Sequence, residues 1–152
     1  MSMIELKKEL YALCLNYVKD RIDTAQQALA AIQESAEEET KSSAGDKYET
    51  GREMMQQETD RNRMQLAEAN KLMAALNALS IKHTNTTGEP GSLVETDNGN
   101  FYLSISAGTL KCGGKTYYAI SPSSPIGAKL RGVKIGDQFA LNGKTYLVKD
   151  IA

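Results

Sequence analysis

Residues 42–51 read Ser42-Ser43-Ala44-Gly45-Asp46-Lys47-Tyr48-Glu49-Thr50-Gly51, and long helical patterns flank them on both sides. The polar start and the glycine at position 45 are typical of a turn, because glycine tolerates backbone conformations with positive φ. Two acidic residues follow, Asp46 and Glu49, and residues three apart on a helix share a face. The stretch is therefore predicted to be the tip of a helical hairpin that carries a pair of carboxylates.

The segment before the tip has the pattern of one long helix, with no Pro or Gly between residues 3 and 40. Ser2 and Glu5 have the spacing of a capping box at its start. Apolar residues then recur every three or four positions, which over several heptads predicts a coiled-coil seam. At 1.5 Å per residue the helix would be ~50–55 Å long. The seam residues are Tyr11, Leu15, Val18, Ile22, Ala25, Leu29, Ile32 and Ala36.

A second apolar series follows the tip and predicts a second helix that ends near residue 80. Two long helices joined by a short turn are predicted to pair antiparallel, since neither can bury its apolar stripe alone. Polar members of the series near the tip, Thr59 and Asn62, predict weaker packing there than at the base. The apolar members are Tyr48, Met55, Leu66, Ala69, Met73 and Leu76.

The second half of the chain has the pattern of a small sheet domain. A run rich in Thr, Asn, Gly and Pro at residues 83–91 predicts a linker. Ser124 and Pro125 are the predicted cap and first residue of one short helix, and Asn142-Gly143 predicts a tight hairpin. The rest is predicted to form an antiparallel sheet from β-rich runs at residues 92–96, 101–106, 116–120, 138–141 and 145–151.

Charge and cysteine content exclude several classes of protein. The chain has 152 residues, with 18 basic and 19 acidic side chains, so it lacks the overall basic charge of many nucleic-acid-binding proteins. Cys14 and Cys112 have no motif spacing, which predicts neither a disulfide framework nor a zinc site and fits a reducing, cytoplasmic compartment. No apolar run approaches ~18–20 residues and no secretory signal pattern opens the chain, so no membrane association is expected.

The predicted organisation is a coiled-coil domain at residues 1–82 with its acidic tip at 42–51, a linker at 83–91 and a C-terminal domain at 92–152. Two stretches within it resemble a known family. At the tip, Gly45-Asp46-Lys47-Tyr48-Glu49 is similar to a Gly-Asp followed by two residues and a Glu. Ser124 to Asp137 is similar to a Ser-Pro, a helix and a Gly-Lys-x-x-Gly-Asp signature. These are features of the bacterial Gre transcript-cleavage factors, and the resemblance covers nearly the full chain.

The resemblance implies a fold and a function. The C-terminal domain would be FKBP-like and would bind RNA polymerase, while the coiled coil would enter the secondary channel of the polymerase. Asp46 and Glu49 would help to hold a Mg²⁺ ion in the active site of the polymerase and promote cleavage of backtracked RNA. The chain would then not be an enzyme itself, would meet the 3′ end of the nascent RNA only indirectly, and is expected to be a monomer.

The coordination chemistry of a carboxylate pair agrees with this expectation, because Mg²⁺ prefers oxygen ligands and is often held by one or two carboxylates. Phosphodiester hydrolysis gains from metal ions that activate water and stabilise the in-line oxygens. The candidate partner-binding residues are Lys47 and Tyr48 at the tip and Ser124, Pro125, Ile126, Lys129, Arg131 and Lys134 in the C-terminal domain.

Alternatives remain open at several positions. Asp46 and Glu49 also have the spacing of a helix-capping box, and the three cations Lys129, Arg131 and Lys134 also fit an ordinary solvated surface. The family has an apolar or aromatic residue and then Ser where Lys47 and Tyr48 stand, and Asn where Thr50 stands. The chain is therefore also compatible with a Gre-fold regulator that binds polymerase without stimulating cleavage, or with an FKBP-like isomerase or chaperone.

Overall fold

In the computed structural model, the backbone is described for residues 2–42, 45–82 and 84–152, and side chains are described for the same residues except 39–49. Two long helices come first, α1 (Met3–Ser42) and α2 (Gly45–Asn77). The predicted capping box at the start of α1 is confirmed: the backbone N–H of Glu5 donates to Ser2 Oγ, and the backbone N–H of Ser2 donates to Glu5 Oε2, each at 3.2 Å.

A six-stranded mixed sheet follows the helices, with its strands in the order β3-β4-β2-β1-β6-β5. The predicted hairpin at Asn142-Gly143 is confirmed, and both residues have positive φ, as a tight two-residue turn between twisted strands requires. The strands are β1 (Leu93–Thr96), β2 (Gly99–Leu103), β3 (Gly108–Cys112), β4 (Lys115–Ile120), β5 (Gln138–Leu141) and β6 (Lys144–Ile151).

The prediction of a purely antiparallel sheet was wrong for one pair of strands, because β2 and β4 run parallel. The cause is strand β3, which was not predicted from the sequence. After β2 the chain forms β3, then turns through Gly113-Gly114 into β4. Strand β4 pairs antiparallel with β3 on one side and so lies parallel to β2 on the other.

The chain divides into two compact units, one formed by Met1–Tyr17 with Leu72–Ala152 and the other by Val18–Lys71. The first unit therefore contains the start of α1 and the end of α2 together with the sheet. Within the second unit, Val18, Ala25 and Ala69 are buried. The boundaries predicted from the sequence, at residues 82 and 92, stay a prediction.

One face of the sheet packs against the predicted short helix, α3 (Pro125–Leu130), which is confirmed. Rings from three strands are in contact on this face, where Phe139 stacks on Tyr146 with centroids 4.9 Å apart and Tyr146 meets Phe101 edge-on at 6.1 Å. Phe101 and Tyr146 are buried, so the rings form part of the core. The buried members of this cluster are Val94, Phe101, Leu130, Val133, Tyr146, Val148 and Ile151.

The opposite face of the sheet packs against the first turns of α1. The Cys112 thiol donates a hydrogen bond to Glu9 Oε2 at 2.8 Å, and Cys14 Sγ lies 3.8 Å from Ser104 Oγ. Cys14 is fully buried, as is Tyr102 beside it. Polar contacts as well as apolar packing therefore join the start of α1 to the sheet within the first unit.

The burial of Cys14 predicts a loss of stability at high pH. Burial raises the pKa of this thiol from 9.0 to about 11, and the neighbouring Ser104 hydroxyl lowers it by less. Because the folded protein holds the proton more tightly than the unfolded chain, the stabilisation is lost as the pH rises from 9.0 towards about 11. The free energy of unfolding of the wild type should fall, relative to Cys14→Ala, by up to about 1.4 kcal/mol per pH unit.

Urea unfolding of the wild type and of Cys14→Ala from about pH 8 to about pH 11 measures this effect. The variant is less stable at neutral pH because it loses packing, and the gap between the two proteins should narrow as the pH rises. The contributions of the other titrating groups largely cancel in the difference between the two free energies of unfolding, because both proteins contain these groups. A gap that is the same at every pH would show that Cys14 does not ionise with a raised pKa.

Candidate partner-binding surface

The N-terminus of α3 is fixed by Ser124, the predicted cap. Ser124 Oγ accepts the backbone N–H of Gly127 at 3.1 Å and donates to the carbonyl oxygen of Ser121 at 2.7 Å. Pro125 occupies the first helical position, where its missing N–H costs no hydrogen bond. The Ser124 hydroxyl is thus used in hydrogen bonds within the chain. Pro125 is exposed, and the partly buried Ile126 packs against the core.

The segment that follows α3 is held by the chain around Gly88. The backbone N–H of Gly132 donates to the carbonyl oxygen of Gly88 at 2.6 Å, and the N–H of Gly88 donates to the carbonyl oxygen of Val133 at 2.9 Å. Val133 is buried in the core. A Cβ at Gly88 would overlap the carbonyl oxygen of Leu130, so only glycine permits this close approach.

Residues 134–137 form a tight turn, called here the 134–137 turn. The backbone N–H of Asp137 donates to the carbonyl oxygen of Lys134 at 3.0 Å, and Asp137 Oδ2 accepts the N–H of Lys134 at 2.9 Å. Gly136 has a φ of 94°, which is the conformation that a type II turn requires at its third residue. Ile135 is the second residue of the turn and is 60% exposed.

The three predicted cations Lys129, Arg131 and Lys134 are exposed on α3 and the segment after it. Among the side chains of residues 2–38, 50–82 and 84–152, none of these three cations forms an ion pair with an acidic group. Their charge is thus available to an outside partner. We call Lys129, Arg131 and Lys134 the cationic surface.

These cations were predicted from the sequence, whereas Ile135 was not. An isoleucine gives the same signal in a sequence whether it is buried or exposed. The signal that would have found it is the following Gly136, since glycine at the third position of a type II turn places the preceding residue at a corner facing solvent.

Asp46, Lys47, Tyr48 and Glu49, the residues predicted to form the tip of a hairpin, lie in the first turns of α2. Their side chains are not among those that the structure describes. Because α2 begins at Gly45, Asp46 falls inside the helix rather than at the residue before it, where a capping box has its first member. Acidic side chains near a helix start still gain about 0.3–1 kcal/mol from the helix dipole.

The described side chains include no group of three or more His, Cys, Asp and Glu residues that could hold a metal ion. Among the described helices, none is long and apolar enough to cross a membrane. Comparisons with family models, with curated proteins and with solved structures find no match for this chain. A functional assignment therefore depends on the residues themselves and on the surfaces described above.

Proposed function

We propose that this chain is a transcription elongation factor that binds RNA polymerase and promotes cleavage of backtracked RNA. The FKBP-like C-terminal domain docks on the polymerase, and an antiparallel coiled-coil hairpin formed by α1 and α2 enters the secondary channel. The observation that carries this proposal is the position of Asp46 and Glu49. Helix α1 ends at Ser42 and α2 begins at Gly45, so both acidic residues follow directly after the junction of two long helices.

The length of the helices supports a delivery role. Helix α1 has 40 residues and α2 has 33, which at 1.5 Å per residue correspond to about 60 Å and about 50 Å. In an antiparallel hairpin of these helices, the junction lies at the end opposite the start of α1 and the end of α2. A carboxylate pair at that junction would reach a site deep inside a partner.

The donor chemistry of Asp46 and Glu49 fits Mg²⁺. Carboxylate oxygens are preferred ligands of this ion, and residues three apart on a helix share a face. Two carboxylates fill only part of an octahedral shell, so the partner has to supply the remaining ligands. When bound, Mg²⁺ would activate water and neutralise developing negative charge in phosphodiester hydrolysis. The contribution of this chain is to supply two oxygen donors and to position them.

The cationic surface supports docking through the C-terminal domain. Lys129, Arg131 and Lys134 are exposed and form no ion pair with a described acidic side chain. Opposite charge on a partner would raise the association rate and orient the encounter. Separation of the docking surface from Asp46 and Glu49 along the chain allows each to be changed without altering the other.

The packing of the aromatic rings does not favour an isomerase. A site for a proline-containing peptide would use exposed aromatic rings as its lining, yet Phe101 and Tyr146 are buried between the sheet and α3. Of the rings in contact with Phe101, only that of Tyr118 is exposed, and the centroids of the two rings are 5.8 Å apart. One exposed ring does not form the aromatic lining that such a site would need.

Binding of the full chain to the cognate core RNA polymerase tests the proposal at its first step. Immobilised polymerase should bind the protein saturably, with a Kd of about 1 μM or tighter, and binding should weaken as salt is raised. An absence of binding would exclude both the cleavage factor and the non-cleaving regulator. A rate enhancement on a proline-containing peptide would then favour the isomerase.

A further inference from the structure

We propose that Ile135 is the apolar anchor by which this protein docks, and that it inserts into an apolar socket bordered by carboxylates on a protein surface of RNA polymerase. This inference rests on the proposed function and adds a residue and a partner chemistry to it. Three observations carry it: the exposure of Ile135, the fixed geometry of the 134–137 turn, and the exposed cations Lys134, in that turn, and Arg131, in the segment before it.

The exposure of Ile135 is not required by the fold. At 60% exposure the side chain contributes little to the core. The second position of a type II turn favours proline and accepts most residues, so the turn does not call for a β-branched apolar side chain. A single exposed apolar residue is by itself ordinary, and the two features that follow distinguish this one.

The backbone that carries Ile135 is fixed on both sides. Besides the two hydrogen bonds within the turn, the N–H of Gly136 donates to the carbonyl oxygen of Val148 at 2.9 Å, and the N–H of Val148 donates to the carbonyl oxygen of Asp137 at 2.9 Å. Val148 is a buried residue of β6. A side chain on such a braced turn loses little conformational entropy on binding, as is typical of an interface anchor.

The surroundings of Ile135 indicate the chemistry of the partner. Lys134 precedes it in the turn, and Arg131 lies in the braced segment just before. An apolar centre with a charged rim is the usual anatomy of a protein–protein contact, in which anchors fill pockets and charges lie at the edge. Asp137 in the same turn is also exposed, and its Oδ2 accepts the backbone N–H of Lys134. Two cations and one carboxylate leave this rim with a net positive charge, so the complementary rim is acidic.

Two other polyanionic partners fit these features less well. A single-stranded nucleic acid is held by aromatic rings that stack on bases, and an isoleucine offers no such face. A membrane surface would attract the cations, but one exposed aliphatic side chain gives little insertion compared with a second lipid-binding signal.

The test compares the Kd of full-length variants for immobilised core RNA polymerase. Ile135→Asp removes the anchor and opposes an acidic rim, and it should weaken binding by about 30-fold or more. Ile135→Leu keeps an apolar side chain of equal size and should stay within about threefold of the wild type. Ala140→Asp, an exposed site on β5, adds the same charge without removing an anchor and should bind like the wild type.

Thermal unfolding of each variant should match the wild type, because Ile135 is outside the core and its turn is held by backbone contacts. Wild-type binding that Ile135→Asp leaves unchanged would overturn this inference and leave the proposed function standing. No binding by the wild type would overturn both. A third outcome is that the protein binds only vesicles containing phosphatidylglycerol, or only single-stranded RNA, in a manner that depends on Ile135. Either result would show that the partner is that ligand and would overturn the proposed protein partner.

Discussion

Replacing Asp46 with Asn, or Glu49 with Gln, is expected to reduce stimulated cleavage of backtracked RNA by about 10²-fold or more. Losses of this size follow when a group that stabilises transition-state charge is removed. Each change keeps the shape of the side chain and removes one anionic oxygen donor. The affinity for RNA polymerase should stay close to the wild-type value, because the docking surface lies in the C-terminal domain.

The double variant Asp46→Asn/Glu49→Gln gives a sharper test. Two carboxylates that serve one metal ion act as a unit, so the double variant should lose little more activity than either single variant. Glu58→Gln, an exposed position further along α2, serves as the matched control and should cleave like the wild type. If the pair only stabilises the start of α2, each variant should instead lose about 0.3–1 kcal/mol of stability and keep its cleavage activity.

Gly127→Ala is expected to destabilise the protein by about 3 kcal/mol or more, at the upper end of what overpacking costs. A Cβ at this position would overlap the carbonyl oxygen of Ser121, which already accepts hydrogen bonds from the backbone N–H and the Oγ of Ser124. Helix α3 would have to move away from the segment before it. We therefore expect Tm to fall by about 10 °C and polymerase binding to weaken.

Gly113→Ala is the matched control for this change. Gly113 has a φ of 58°, but no atom lies within 4 Å of an added Cβ. The cost should be limited to backbone strain of about 1–2 kcal/mol. If thermal unfolding shows equal losses for the two variants, the close contact between Gly127 and Ser121 is not what positions α3.

Features set by neighbouring residues were predictable from the sequence. The capping box of Ser2 and Glu5, the cap at Ser124 and the Asn142-Gly143 hairpin each depend on a few adjacent residues with specific hydrogen bonds or φ values. The parallel pairing of β2 with β4 was not predictable in this way. It depends on β3, whose five residues start at a glycine and carry only two buried side chains, so their apolar signal is weak.

The candidate sites also contain some features that were visible in the sequence and others that were not. The charges of Lys129, Arg131 and Lys134 are visible in the sequence, and so is the spacing of Asp46 and Glu49. The exposure of Ile135 was missed, although the following Gly136 is a local signal of a turn. The sequence could not show the bracing of this turn by backbone hydrogen bonds to β6, or the fixation of the segment after α3 by Gly88, because both contacts join residues far apart in the chain.

The most direct measurement is the release of 3′ RNA fragments from a stalled, backtracked elongation complex of the cognate polymerase at limiting Mg²⁺. A transcript-cleavage factor should accelerate this release, and Asp46→Asn should abolish the acceleration while still binding the complex. Binding of the wild type without any acceleration would contradict the cleavage function, and would identify the chain as a regulator in which Asp46 and Glu49 only stabilise the start of α2.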